Sequence, residues 1–407
     1  MRTSWRDRAP AYCAGAAAAT ATVSIAASQI LLGLTIATLI ANPRKLRWPP
    51  VTAPLALFML WTLASLAASP DPRSGLPQIK KFYVYLMLFA VFSALRTMKE
   101  VRWLAWGVIT GGTLSAGFAL FQYARMSLAT PDFFYYVYSN QGRITGFMDH
   151  WMTFSSITMM VLMIAGAMFL FEKPGGTPTA PLAFAILILG VALLAGFQRT
   201  MWAGAAVGAM WLLWSRKPWL IALVPVLAAA ALIANPFNIR DRAFSIFRPE
   251  PGVLDSTAHR AALRATGWEM IKAHPFFGVG PEQVHPRFLD YAPPSVPRPI
   301  PKEWSIMHLH NVYYQYAAER GLPALAALLW FLGRALYDFL RAVRLEPAGA
   351  PARWLLQAAI ASIFAIMVSG FAEVNLGDSE PLAVFLAIVA CGYVAVRELK
   401  TTSLKTA

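Results

Sequence analysis

The chain is short of charge. Only 14% of its residues are Asp, Glu, Lys or Arg, where a soluble chain carries about 25%. That shortage excludes a string of ordinary soluble domains. Cysteine is nearly absent: Cys13 and Cys391 both lie in apolar runs, so there is no disulfide framework. No internal repeat, Ser-nucleophile elbow or phosphate-binding P-loop is evident. The GVG at Gly278–Gly280 lacks the strand context of a dinucleotide site. His308 and His310, two apart, make a poor metal pair, and no Cys or carboxylate cluster completes a zinc site; no metal and no cofactor is expected.

What the sequence does have is apolar length. Segments at 11–24, 27–42, 52–68, 79–95, 103–123, 151–171, 181–196, 200–214, 219–235, 322–342, 354–371 and 381–397 approach the ~20 residues that span a bilayer. Backbone polar groups cannot stay unpaired in lipid, so these are helices. The expected fold is an all-α polytopic membrane protein of about twelve transmembrane helices. Residues 11–42 read as two short helices or one long tilted one. MRTSWRDRAP and the Ala-rich stretch after it could pass for a cleaved signal peptide; an uncleaved first span is preferred.

Net charge is +15. In a soluble protein that would suggest nucleic acid. Here the short basic connections NPRKLRWPP, RTMKEVR, SRKP and RAVRLEPAGAPAR and the tail RELKTTSLK alternate onto one side, which the positive-inside rule makes cytoplasmic. The other face then receives one dominant stretch, 236–321, too long to be a mere connector. The expected organisation is helices 1–9 in residues 1–235, an outer cap in 236–321, and helices 10–12 with a tail in 322–407. The cap carries an amphipathic helix signal at Asp255–His274 and a Pro-rich lid, APPSVPRPIPKEW.

Many cations fall on the outer face without a topological need, Arg248 and Lys302 among them. They either contact water and lipid headgroups or hold an anionic ligand, for which guanidinium suits phosphate. Arg199, in LLAGFQRTMWAG, sits between two apolar runs with almost no loop, so it snorkels or has a partner. Arg260 and Arg264 share a face of the amphipathic helix at i,i+4. Lys81 begins an apolar run. Arg143 precedes GFMDHWMTFS, where Asp149 and His150 could bind an acceptor or pair with each other and with Arg143. Reading a helix from His310 to Arg320 puts His310, Tyr313, Tyr314, Ala317 and Gly321 near one face. Gly321 and Pro323 then redirect the chain into the next span. A histidine at a water–lipid boundary is placed to take a proton.

His310-Asn311, nine residues, then Gly321 resembles the histidine motif of bacterial O-antigen ligases and the related O-antigen polymerases; Ala324 stands where the pattern has Gly, Thr or Tyr. QRTMWAG and the STAHR…W…HPFFGVGPE run look like the same family, and GFMDHWMTFS looks more like the ligases. The resemblance implies a fold similar to class C membrane glycosyltransferases, acting at the periplasmic face of the bacterial inner membrane. It implies transfer of a glycan from undecaprenyl diphosphate to lipid A–core, with inversion and without a required metal. His310 is then the expected base, Arg199, Arg260 and Lys81 bind the diphosphate, and Arg143, His150, Tyr314 and Arg264 support the acceptor or the site. Rival expectations are a polymerase joining lipid-linked repeats and a lipid-linked-glycan flippase or transporter, which often shows repeated halves and midplane charges.

Overall fold

The computed structural model describes residues 5–41, 46–130, 133, 142–172, 178–244, 256–301, 304–346 and 350–406. Asp255, Arg248 and Lys302 fall outside these residues. Among the described residues the chain is all helical: α1 Trp5–Thr20, α2 Ile25–Ile40, α3 Thr52–Ala68, α4 Leu76–Lys80, α5 Phe82–Ala94, α6 Met98–Ala129, α7 Trp151–Phe171, α8 Thr179–Ala195 and α9 Arg199–Arg216. There follow α10 Leu223–Ala234, α11 Ile239–Phe244, α12 Ser256–Ala273, α13 Phe288–Tyr291, α14 Val312–Arg320, α15 Leu322–Leu345, α16 Arg353–Ser369 and α17 Ser379–Thr406.

Each apolar segment read from the sequence falls on a helix. By length and composition, four described helices can cross a membrane (α6, α7, α15 and α17), or five if a bent pair at Pro218–Phe244 is one span. Four more are apolar but shorter. The architecture is that of a polytopic membrane protein. Residues 11–42 form two helices, α1 and α2, tied together by Ser28 Oγ donating to Ala17 O at 2.7 Å.

Two segments depart from expectation. The 79–95 run breaks at Lys81, which ends α4 and precedes α5. The 219–235 run is not a straight span: α10 buries none of its residues, and the chain bends by 103° into Pro236–Phe244. Asn235 makes that bend in the left-handed region, φ 47°, a conformation Asn tolerates. The bend returns Arg242 to α9, where its Nε donates to Phe197 O at 3.3 Å.

The buried core runs through the bundle, with α7, α16 and α17 most enclosed. A second apolar cluster is drawn from residues 262–318. Leu263, Met270, Ile271, Val279, Val284 and Phe288 pack there with Leu309, Ala317 and Ala318. The segment 275–280 is held backbone to backbone against α14 and by side chains from α3. The HPFFGVGPE turn lies across the end of α14, where Val279 N donates to Ala318 O (2.8 Å) and Gly280 N to Glu319 O (3.0 Å). These bonds satisfy carbonyls that a helix C-terminus leaves open. From α3, Trp61 Nε1 donates to Phe276 O (2.8 Å) and Ser65 Oγ to Phe277 O (2.6 Å).

Gly278, at φ 68°, permits that approach, because a Cβ there would enter the Glu319 backbone. Gly321, at φ 83°, turns α14 into α15 without a linker, and a Cβ there would enter the Phe276 carbonyl. Gly321→Ala combines left-handed strain with that clash and is expected to cost about 1–3 kcal/mol or more. Its thermal midpoint by detergent-phase unfolding should fall well below that of wild type. Gly333→Ala, where an added Cβ meets nothing within 4 Å, should not fall. Equal midpoints for the two would refute the packing argument.

Candidate active site

His310 does not lie on a helix. Asn311 caps α14, its Oδ1 accepting from Tyr313 N and Tyr314 N at 3.0 Å each, and His310 precedes it with φ 47°. The expected helix face is therefore corrected: a capping Asn takes extended backbone and ends the helix one residue short of the histidine. Asn311 has a second task. Its Nδ2 donates to Phe371 O (2.8 Å), and Val312 N reaches Gly370 O (2.9 Å) and Glu373 O (3.1 Å). The start of α14 is thereby clamped to the turn between α16 and α17.

That clamp brings a residue the sequence reading missed to the centre of the site. Glu373 is 1% exposed. Its Oε1 accepts from Arg260 Nη2 at 2.8 Å and its Oε2 lies 3.4 Å from His310 Nδ1. Burial alone would lift its pKa. The His310 hydrogen bond and the Arg260 guanidinium outweigh burial and hold Glu373 below the usual carboxylate range. Glu373 is thus an anion at neutral pH, shared by two of the residues singled out from the sequence.

The arginines gather on the same side. Arg143 is 9% exposed. Burial, then Arg242, push its guanidinium well below its usual range; Glu373 pulls the other way, and Arg260 and Arg199 add to the push. Four guanidiniums thus share one electrostatic neighbourhood. Arg199 opens α9 just after Phe197 (φ 54°) and donates from Nη1 to Arg242 O at 3.4 Å. The Gln198 amide, turned oxygen inward, accepts from Arg143 Nη1 (2.6 Å) and Trp151 Nε1 (2.7 Å). Arg143 also stands 5.5 Å from the Trp151 ring. The expected mutual pairing of Arg143, Asp149 and His150 is not what forms: Asp149 is exposed, and His150 caps α7 by accepting from Met152 N at 3.2 Å.

A cavity of about 440 Å³ adjoins this group. His150, His308 and Glu373 line one end; Gln78, Lys81, Glu282, Glu319 and Arg320 line the other. His310 touches the wall residues His308 and Glu373 but is not itself part of that lining. Lys81 Nζ donates to Gly377 O at 2.7 Å. Two remaining candidates fall elsewhere. Tyr314 packs into the second apolar cluster, and Arg264 is exposed, with no ion pair among the described residues.

Hydrogen bonds distinguish the histidines. His308 Nδ1 accepts from His310 N (3.3 Å) and His150 Nδ1 from Met152 N, so when neutral each carries its proton on Nε2. His259 Nε2 meets the Ser305 carbonyl (2.8 Å) and must be a donor there. His310 Nδ1 faces a carboxylate, so its proton belongs on Nδ1 and Nε2 is left with a lone pair. Burial first, then the neighbouring His310 imidazole, take His308 down to about 3; His259 falls to about 4, where burial outweighs its Ser305 bond. Both are neutral well into acid.

At the far end, Glu319 is pushed up to about 7, chiefly by burial, with Arg320 opposing and Glu282 adding to the rise. Folded Glu319 therefore keeps a proton that the unfolded chain releases from pH ~4.5. Stability from this group is full below that value and lost as pH rises to about 7, by up to about 3 kcal/mol. Glu319→Gln should flatten the fall in thermal midpoint between about pH 5 and pH 7. A variant as pH-sensitive as wild type in that window would refute the assignment.

No curated protein matches the chain. Residues 184–329, less than half of it, match the family model for O-antigen ligase, a segment that holds Arg199, Arg260 and His310. Through that segment the chain is similar to the O-antigen ligase family.

Proposed function

We propose that this chain is an O-antigen ligase, moving a glycan from undecaprenyl diphosphate onto lipid A–core at the periplasmic face of the bacterial inner membrane. The carrying observation is Glu373, buried between Arg260 and His310. It divides the labour between a base and an anion site. With its proton on Nδ1 and held by Glu373, His310 offers the Nε2 lone pair to an acceptor hydroxyl. As the acceptor hydroxyl's own proton moves to Nε2, the acceptor oxygen bonds to the anomeric carbon. The carbon–oxygen bond to the diphosphate breaks, and its electron pair leaves with the diphosphate. One displacement inverts the anomeric centre.

The diphosphate gains negative charge as it departs. Arg199 and Arg260, with Arg143 and Arg242 behind them, supply positive charge already in place, so no solvent need reorganise. This cluster performs the task that a divalent ion serves elsewhere, which is why the reaction is proposed as metal-independent. Lys81, across the cavity, assists from the other side. Pyrophosphate is a good leaving group and needs no general acid. The cap, 236–321, shields the sugar, and about twelve crossings arranged as in class C glycosyltransferases carry the site.

His310→Ala should abolish transfer in a purified assay while the protein stays monodisperse and inserted; normal transfer would sink the base assignment. Glu373→Gln keeps the shape but loses the charge, and should lower kcat by a factor on the order of 10²–10⁴ with a smaller change in KM. A change in KM alone would show that Glu373 does not act through His310. Arg199→Lys keeps charge and loses the fork, and should cost roughly tenfold or more in kcat/KM. A Lys variant as active as wild type would refute bidentate contact there. Supplying donor with either lipid A–core or a second lipid-linked repeat separates ligase from polymerase; product only with the repeat would overturn ligation. A flippase would move the donor across a vesicle without any glycosidic product.

A further inference from the structure

A second cavity lies far from this site, between the first half of α1 and the start of α6, with a volume of about 640 Å³. Its floor is made of small and apolar residues: Ala11, Gly15, Ala16 and Ala19 from α1, Leu104 and Gly107 from α6. At Gly107 the helices nearly touch, since an added Cβ would come within 2.9 Å of Ala19 Cβ. At Gly15 the helices stand further apart, and an added Cβ would meet Leu104 Cβ at 3.9 Å, an ordinary van der Waals contact. The result is a long apolar trough, closed at one end.

Its mouth is basic. Arg8, Arg96 and Lys99 line it. Among the described lining residues the carboxylate is Glu100, and it turns to the backbone: its Oε2 accepts from Arg96 N (2.7 Å) and Thr97 N (3.0 Å) in the capping box of α6. The positive end of α6 adds to the same side. Tyr12 and Trp103 flank the mouth as a stacked pair, centroids 5.8 Å apart, with Lys99 Nζ 5.4 Å from the Trp103 ring. Both rings are about half exposed. Amphipathic aromatics of this kind sit at headgroup level.

The position along α6 fixes which membrane face this is. Gln122, on the same helix, accepts from Thr145 N and Gly146 N (3.1 and 3.0 Å), beside the Arg143–His150 loop of the candidate active site. Met98 and Gln122 are roughly 36 Å apart at 1.5 Å per residue, close to the ~30 Å hydrocarbon thickness. The trough therefore opens on the face opposite the reaction, among the basic connections.

We propose that this trough binds one anionic phospholipid, its phosphate held by Arg96 and Lys99 and one acyl chain laid along the small-residue floor. A basic mouth over an apolar slot between membrane helices matches a charged headgroup on a hydrocarbon chain. A zwitterionic lipid lacks the net charge to answer Arg96 and Lys99. The carrier lipid of the reaction presents its phosphates at the opposite face.

The test uses the full-length protein, purified in detergent and delipidated, with phosphatidylglycerol, phosphatidylcholine or undecaprenyl phosphate added and binding read by native mass spectrometry. Phosphatidylglycerol should bind saturably at one site, with phosphatidylcholine at least tenfold weaker. The Arg96→Gln/Lys99→Gln double variant should weaken phosphatidylglycerol by about tenfold or more. Gly15→Leu, which fills the wider part of the floor, should do the same through shape while the charges remain. Phosphatidylcholine binding as tightly as phosphatidylglycerol would overturn the proposal, as would charge variants that bind like wild type. Stronger binding of undecaprenyl phosphate at this site would overturn it in favour of the carrier.

Discussion

One buried carboxylate organises the reactive side of this protein. Glu373 is almost wholly shut off from bulk solvent, and an ion in that position persists only if partners surround it. Arg260 arrives from α12, His310 from the loop before α14, and the backbone of α14 itself grips the turn that carries Glu373. Three separate parts of the chain are thus held in register by a single charge. Removing it would leave Arg260 facing other guanidiniums and His310 without a reason to prefer one tautomer.

Glu319 gives the contrast. It is as buried as Glu373 and lines the same cavity, yet its acidity moves the opposite way. The difference lies in the partners. Glu373 meets a close guanidinium and an imidazole, whereas the Arg320 nitrogen nearest Glu319 is 3.9 Å off and donates instead to Gln78 at 2.8 Å. One end of the cavity therefore holds an ionised carboxylate, and the other a proton-retaining acid beside Gln78, Lys81 and Arg320.

Much of this was legible in the sequence. Apolar length marks the helices, since hydropathy reports on what can lie in lipid or core. Arg199, Arg260 and His310 stood out as polar residues pressed against apolar runs, and Gly321 as a break. Glu373 did not, because it is one Glu in FAEVNLGDSE, 63 residues beyond His310, and no periodicity connects residues that meet through tertiary clamping. The signal available among the acids of that stretch was that Glu373 is the one flanked directly by apolar residues, Ala372 and Val374. The helical placement of His310 failed for a local reason that was readable: Asn before a helix favours the cap, and the residue ahead of a cap is not helical. Exposed α10 shows a further limit, since a helix facing lipid and a helix facing core have the same composition.

The histidines around the site bear on where such a protein can work. An ordinary imidazole exchanges its role from acceptor to donor as surroundings acidify through pH 6.5. His308 and His259 hold out to about 3 and 4. The hydrogen-bond pattern they impose on their neighbours is therefore indifferent to mild acid, and a wall built from titratable groups behaves, over that range, as though it were made of fixed dipoles.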